Sequence, residues 1–158
     1  LQIPLQKLQP ARTLIIKNHE LYVVRFCFHV LDAAEIDRIN ILQAALKAMA
    51  QSFLHLFNPK MSQGALLVDG NKKLPLAAAL VAQYPLIKGD GKVKLIGLCS
   101  VLIKEYRDHL MSDYHQQHPF YHWDKNAGYP TAKHLAAIAA HGVTDFHRKT
   151  FRGVSEHV

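Results

Sequence analysis

The segment LLVDGN, residues 66–71, places an acidic residue, a glycine and an asparagine directly after a short apolar run. The continuous apolar residues 65–68 predict a strand that is buried on both faces, with Asp69 at its end. In open α/β sheets, ligands bind just outside the carboxyl ends of the strands. A simple Asp-Gly turn that closes the strand is an equally good interpretation, so other residues have to decide between the two.

Length and charge limit the classes of protein to consider. A chain of 158 residues is most simply one domain with a real core, and its net charge of +7 indicates polyanionic partners if the charge is clustered. Cys27 and Cys99 lie in apolar segments without CxxC spacing, which predicts core thiols and a cytoplasmic location. No apolar stretch is long enough for a membrane span.

Strand and helix patterns alternate along the chain, which predicts an α/β fold. Asp32 and Glu35 form an N-cap pattern in front of a helix that Asn58 and Pro59 end. The other predicted elements are an irregular lead-in at 1–13, strands at 21–30 and 65–68, a short apolar stretch at 84–91, a buried helix at 92–112, and a helix at 131–140 that Gly142 stops.

Three polar residues, Ser100, Lys104 and Asp108, recur at steps of four along the predicted buried helix. They therefore project from one face of an otherwise apolar rod. One interpretation is an intrahelical ion pair between Lys104 and Asp108, which contributes about 0.3 to 0.5 kcal/mol when exposed. The other is that Asp108 meets Asp69 in the fold, where two carboxylates would need a proton or a bridging divalent cation.

Several loops carry residues with two possible roles. KGDGK at residues 88–92 is either a plain turn or a phosphate cradle, and HRKTF at 147–151 suits either solvent or a phosphate backbone. In AGYPT, Pro130 holds Tyr129 extended, so its ring either packs over the next helix or stacks on a sugar or base. His115, His118 and His122 have zinc-like spacing, but Pro119 breaks any helix between them and no fourth ligand is obvious.

Six segments in order resemble the type 2 ribonuclease H family, specifically bacterial ribonuclease HII, between about residues 35 and 151. They are EIDRINILQAALKAM, LLVDGN, LIKGDGKV, SVLIKEYRDHLM, YPTAKHLAAIAAHG and HRKTF. The resemblance implies a ribonuclease H-like mixed sheet flanked by helices, followed by a C-terminal helical segment. It also implies a single domain over residues 1–158, with the sheet and central helices at about 21–112 and a helical, basic segment at 113–158.

By the same resemblance, the protein is an endoribonuclease that cleaves the RNA strand of RNA/DNA hybrids and nicks at ribonucleotides embedded in DNA, as a monomer. Asp69 and Asp108 match two of the four acidic residues with which the family holds Mg²⁺ or Mn²⁺ for two-metal phosphodiester hydrolysis. Tyr129 matches the tyrosine that packs on the sugar at the ribose-to-deoxyribose junction. The remaining expected substrate contacts are Lys88, Ser100, Lys104, Asn71, His147 and Arg148.

Two family features do not occur in these 158 residues. One is an Asp-Glu pair on an opening strand, and the other is a Gly-Arg-Gly turn that reads the ribose 2′-hydroxyl. The chain also begins with Leu1, and LQKLQ at residues 5–9 keeps only the tail of the family's DSKKL segment. We therefore expect the N-terminal strands to be missing from this sequence and its activity to be impaired. The alternative is a non-catalytic hybrid-binding protein or a decayed paralogue.

Overall fold

The computed structural model describes residues 11–17, 20–58 and 64–158, and these fall into two compact units. The first contains the described residues of Leu1–Leu31 and Leu42–Lys88, and the second contains Asp32–Ile41 and Gly89–Val158. Both helices and strands occur, so the α/β class is confirmed. The expected single domain stays a prediction. Among the described residues, no helix is long and apolar enough to cross a membrane.

The first unit opens with an antiparallel pair of strands, β1 (Ala11–Lys17) and β2 (Glu20–Phe26), in which Lys17 pairs with Glu20. The strand predicted at 21–30 is thus confirmed in its first six residues and ends earlier. The irregular lead-in predicted at 1–13 is wrong from Ala11 onward, because this segment pairs with β2. Residues 1–10 lie outside the described part of the chain.

The core of the first unit forms where helix α2 (Ile41–Leu56) packs on strand β3 (Ala65–Asp69). Ala50, Val68 and Leu74 are at most 5 % exposed there. Strand β4 (Ala82–Leu86) pairs with β3 in parallel, and the Gln83 side chain accepts from the Leu74 backbone N–H (2.7 Å) and donates to its carbonyl (3.2 Å). That reciprocal pair ties the connecting loop to the sheet.

Burial along β3 alternates instead of being continuous. Val68 is buried against α2, whereas Leu67 is 41 % exposed, so the predicted burial on both faces is wrong. Because side chains alternate between the two faces of a strand, Leu66 and Val68 face α2, and Leu67 and Asp69 lie on the opposite face. Helix α2 covers only the first of these faces.

The second unit starts with helix α1 (Ala33–Ile39). Asp32 caps it as predicted, because its Oδ1 accepts from the Glu35 N–H at 2.8 Å. The single helix predicted to run on to Asn58 is wrong, since Asn40 has φ 67° and separates α1 from α2. This left-handed residue interrupts the helical hydrogen bonds although the apolar spacing continues across it.

Asp37 ties α1 to the C-terminal loop of the second unit. Its carboxylate accepts from the Lys149 N–H (2.6 Å) and from both the N–H (3.2 Å) and the hydroxyl (2.5 Å) of Thr150. Burial opposes ionisation, but these hydrogen bonds prevail and lower the pKa of Asp37. Three donors on one carboxylate make this a specific tertiary link.

The one-turn helix α3 (Gly89–Lys92) leads into the long helix α4 (Lys94–Gln117). The two lie so close that a Cβ on Gly97 would be 2.8 Å from the Asp90 carbonyl oxygen. KGDGK is therefore a turn of helix and not an open loop, with Asp90 Oδ1 accepting from the Gly91 N–H at 2.9 Å.

Helix α4 is not the buried central helix that its apolar sequence predicts. Met111 is its only buried residue, and Leu95, Val101 and Ile103 are each more than half exposed. Within the second unit, its main neighbours are α3 at the start and the short elements at its end. Cys99 is exposed as well, which corrects its assignment as a core thiol, while Cys27 is half-buried.

The core of the second unit surrounds the end of α4. It includes the 3-10 helix Pro119–Tyr121, helix α5 (Trp123–Asn126) and helix α6 (Ala132–His141). Tyr121, Trp123 and Ile138 are at most 2 % exposed. The helix predicted at 131–140 is confirmed with Gly142 at its end, and the structure shows that the Thr131 side chain caps its start.

Candidate nucleic-acid and metal site

Asp69 is the last residue of β3 and is exposed, as the sequence predicts for the end of this strand. Gly70 follows with φ 101°, a conformation that favours glycine, and its N–H donates to the Leu86 carbonyl at 2.9 Å. That bond continues the parallel ladder by one residue and fixes the turn. The Asp69 carboxylate thus lies at the carboxyl edge of a parallel pair, which is where α/β proteins bind ligands.

Asp108 lies in the second unit, on α4, and its side chain is 44 % exposed. Lys104 Nζ is 2.7 Å from Asp108 Oδ2, so the structure forms the intrahelical pair that was one of the two interpretations. The hydrogen bond and charge of Asp108 raise the pKa of Lys104. An exposed ion pair of this kind stabilises a helix only slightly. A cation that replaced Lys104 at Asp108 would therefore cost the helix little stability.

Asp69 and Asp108 belong to different units, and their meeting at one metal ion stays a prediction. Both residues are exposed, and carboxylate oxygens are the ligand type that Mg²⁺ and Mn²⁺ prefer. Within residues 11–17, 20–58 and 64–158, no group of three His, Cys, Asp or Glu side chains is placed to hold a metal. Each carboxylate therefore fits as a single ligand, and neither lies in a complete cage.

Tyr129 is the best-defined candidate for substrate contact. The residue is 65 % exposed, yet its backbone is held on both sides. Its N–H donates to the Asn126 carbonyl at 2.8 Å, and its carbonyl accepts from the Thr131 N–H at 2.8 Å and contacts His134 Nδ1 at 2.9 Å. The structure thus places the ring in solvent, not packed over the end of α6.

An open cavity of about 380 Å³ lies at the start of α6. Its lining includes Lys125 and Lys133, and both residues are exposed. The lining is completed by His122, Asn126, Thr131 and Ala132. Positive charge therefore gathers close in sequence to the exposed Tyr129 ring.

The basic segment HRKTF divides into two environments. His147 is only 5 % exposed, so its placement does not favour direct contact with a substrate. Arg148 is half-buried with its guanidinium carbon 4.1 Å from the centre of the Phe151 ring. The pKa of Arg148 is lowered, first by burial and then by the positive charge of Arg107, while the negative charge of Asp37 raises it in part. A guanidinium beside another cation favours an anionic partner.

The other expected substrate contacts are all exposed. Asn71 follows the turn after β3, and Lys88, with φ 55°, lies in the turn after β4. Ser100 lies one helical turn before Lys104 on α4. Asn71 and Lys88 thus belong to the same unit as Asp69, and Ser100 and Lys104 to the same unit as Asp108.

Sequence reasoning missed the buried polar residues behind Tyr129, which are His134, Trp123 and Asn126. They are 3 %, 2 % and 7 % exposed. The only signal in the sequence is that His134 lies three residues after the cap Thr131, at the first turn of an otherwise apolar helix. The zinc interpretation gains no support, because His118 packs against the rings of Trp123 and Phe146 and belongs to no metal-binding group among the described residues.

Comparison with known proteins agrees with the resemblance found in the sequence. The ribonuclease HII family model matches residues 5–154. The chain is 46 % identical to a ribonuclease HII of Bacteroides thetaiotaomicron over 124 residues, which cover 77 % of this chain and 58 % of the relative. It is also 46 % identical to those of Desulfotalea psychrophila (78 % and 53 %) and Geobacter metallireducens (82 % and 58 %).

The chain thus spans less than two thirds of the length of these curated relatives. The match itself covers nearly all of the chain, including the segments with Asp69, Asp108 and Tyr129. By this match, and by its α/β fold, the chain belongs to the ribonuclease HII family.

Proposed function

We propose that this protein acts as a metal-dependent endoribonuclease that cleaves the RNA strand of RNA/DNA hybrids and nicks at ribonucleotides embedded in DNA. The observation that carries the proposal is the exposed Asp69 carboxylate at the end of a parallel strand, in a member of the ribonuclease HII family. A carboxylate at that edge is suited to hold a cation against a phosphate diester.

In this proposal Asp69 and Asp108 are ligands of Mg²⁺ or Mn²⁺. Two bound ions would activate the attacking water and stabilise the leaving oxygen of an in-line displacement. The Lys104 ammonium group, now 2.7 Å from Asp108, has to move away when Asp108 takes up a cation, and it is then available to a phosphate. Ser100 and Lys104 lie along one face of α4 for such contacts.

Nucleic-acid binding rests on the charge and on the exposed tyrosine. A net charge of +7, with Lys125 and Lys133 lining the cavity at the start of α6, favours a phosphate backbone. The Tyr129 ring offers a surface on which a sugar or base can stack. Asn71 supplies an amide at the turn next to Asp69. The protein is proposed to bind as a monomer.

A non-catalytic hybrid-binding protein is the second candidate function, and a specific observation favours it. The described residues contain no group of three possible metal ligands, and Asp108 is paired with a lysine. The 158-residue sequence also has no adjacent Asp-Glu pair. Binding needs only the basic surface and Tyr129, whereas two-metal hydrolysis needs more carboxylates than Asp69 and Asp108.

A nicking assay separates the two functions. The substrate is a DNA duplex with one embedded ribonucleotide, tested with Mg²⁺ and with Mn²⁺. We expect the 158-residue chain to bind this duplex without efficient cleavage, and a longer version with an Asp-Glu pair on a preceding strand to nick it. Asp69→Asn in the longer version should abolish nicking while binding persists. No nicking by the longer version would refute the proposed activity, and efficient cleavage by the 158-residue chain would refute its impairment.

A further inference from the structure

Two histidines, His134 and His147, lie side by side inside the second unit. They are 3 % and 5 % exposed, and their Nε2 atoms are 3.3 Å apart. His134 is on α6, and His147 lies in the C-terminal loop. Buried imidazoles need hydrogen-bond partners for both ring nitrogens, so the partners of this pair define what it does.

The hydrogen bonds assign the proton positions on both rings. The Thr144 backbone N–H donates to His147 Nδ1 at 3.0 Å, so Nδ1 carries a lone pair and the proton of neutral His147 is on Nε2. That proton points at His134 Nε2, which also accepts from Trp123 Nε1–H at 3.1 Å. His134 therefore carries its proton on Nδ1 and donates it to the Tyr129 carbonyl at 2.9 Å.

The opposite assignment fails. A proton on His147 Nδ1 would find an acceptor in the Thr144 hydroxyl, 3.0 Å away, but it would also face the Thr144 N–H. The His147 and His134 Nε2 atoms would then meet lone pair to lone pair, because His134 Nε2 already accepts from Trp123. Donation from Thr144 through the two rings to Tyr129 is the direction that leaves no two lone pairs facing each other, with the lone pair of His134 Nε2 shared by the N–H groups of His147 and Trp123.

The chain of bonds ends on the residue whose ring faces solvent. The Tyr129 backbone is clamped by Asn126 and Thr131 as well, and the Asn126 side chain donates to the Tyr121 carbonyl at 2.7 Å. Just before it, Gly128 has φ 79°, and a Cβ there would be 3.2 Å from Met111 Cε. The loop is thus fixed through hydrogen bonds to its backbone, and Tyr129 itself is left 65 % exposed.

We propose that His134 and His147, with Trp123, are positioning residues that fix the Tyr129 backbone and so present its ring as a stacking surface for the nucleic-acid substrate. This inference rests on the proposed role of Tyr129 in substrate binding. A fixed backbone lowers the cost of ordering Tyr129 on binding, so more of the stacking energy appears as affinity. Burial and the neighbouring His134 lower the pKa of His147 to about 4, which keeps the ring neutral and the direction of donation fixed near pH 7.

The test uses substitutions that separate positioning from simple packing. His134→Asn retains an N–H donor close to the place of Nδ1 and so retains the bond to Tyr129. His134→Leu fills a similar volume without any donor. Affinity for a labelled RNA/DNA hybrid is measured by fluorescence anisotropy, with Tyr129→Ala for comparison. Emission of Trp123, the only tryptophan, verifies that each variant is folded.

We expect Tyr129→Ala and His134→Leu each to weaken hybrid binding about tenfold, and the double variant to lose no more than either alone. His134→Asn should stay within about twofold of the wild type. A purely structural role predicts the reverse order, since leucine suits a buried site better than asparagine. Wild-type affinity in folded His134→Leu, with Tyr129→Ala still weak, would overturn the inference and leave the proposed function standing.

Two further outcomes also decide the question. Unchanged affinity in Tyr129→Ala would overturn both the inference and the role of Tyr129 in the proposed function. If His134→Leu does not fold, nitrogen NMR of the wild-type imidazoles gives the answer. The inference requires the proton on Nδ1 of His134 and on Nε2 of His147, and the opposite tautomers would overturn it.

Discussion

Acidification should destabilise the second unit through His147. In the folded chain the pKa of His147 falls from 6.5 to about 4, mainly because the ring is buried and then because His134 lies nearby. The hydrogen bond from Thr144 raises this pKa in part, and His118 lowers it a little further. The aromatic rings of Tyr121 and Trp123 pack on the His147 ring, and both are uncharged near neutral pH. Between pH 6.5 and 4, the unfolded chain therefore binds a proton that folded His147 does not, and stability falls as the pH falls.

The size of the effect follows from the pKa. A decrease from 6.5 to about 4 corresponds to about 3 kcal/mol of unfolding free energy when the pH is below both values. About 2 kcal/mol of this should already be lost at pH 5, while almost the full contribution remains at pH 7. For a small domain with about 5 to 15 kcal/mol of total stability, such a loss is readily measured.

Urea titrations at pH 7, 6, 5 and 4.5 measure this loss. Trp123 is 2 % exposed, and its ring lies 5.2 Å from that of His147, so its emission follows the second unit. The matched variant is His147→Asn, whose amide oxygen accepts from the Thr144 N–H without titrating. His29 of the first unit also has a lowered pKa, because of burial, His55 and Lys47, and this contribution remains in the variant.

We expect the stability difference between wild type and His147→Asn to change by about 2 kcal/mol between pH 7 and pH 5. The variant starts less stable at neutral pH and loses less on acidification. Parallel pH profiles for the two proteins would refute the reasoning, because they would show that His147 does not titrate differently in the folded and unfolded chains.

Three further results are expected. Gly97→Ala should destabilise the second unit by about 1 to 3 kcal/mol in urea titration, because the new Cβ would be 2.8 Å from the Asp90 carbonyl oxygen. In the control variant Gly91→Ala the Cβ meets nothing within 4 Å, and equal effects of the two substitutions would contradict the packing of α3 on α4. Asp37→Ala should lower the free energy of unfolding by about 1 to 3 kcal/mol at pH 7, because the donors of Lys149 and Thr150 lose their acceptor. This loss should shrink as the pH falls below 4, and a loss that does not depend on pH would count against the carboxylate as the cause. Affinity for an RNA/DNA hybrid should fall at least tenfold between about 50 and 200 mM salt, and a constant affinity in anisotropy titrations would exclude phosphate contacts as its source.

Local chemistry decided much of the fold, and this part was readable from the sequence. Asp32 caps one helix through its own side chain and Gly142 ends another, because these effects involve residues within four positions. The position of Asp69 at the end of a strand followed from an apolar run that stops at an Asp-Gly pair. The net charge and the ordered motifs indicated a polyanion and the family before any contact was known.

Tertiary structure decided which faces are covered and which polar groups meet. The apolar spacing across Asn40 continues without a break, yet its left-handed backbone divides the helix in two. Likewise, α4 is apolar in sequence, but burial depends on a packing partner, and the described part of the chain buries only Met111 from that helix. The bond from His134 to His147 joins residues thirteen positions apart, in a helix and in a loop, and no periodicity encodes it. Sequence determines where a side chain lies along its own element, whereas hydrogen bonds and burial between elements exist only once the chain has folded.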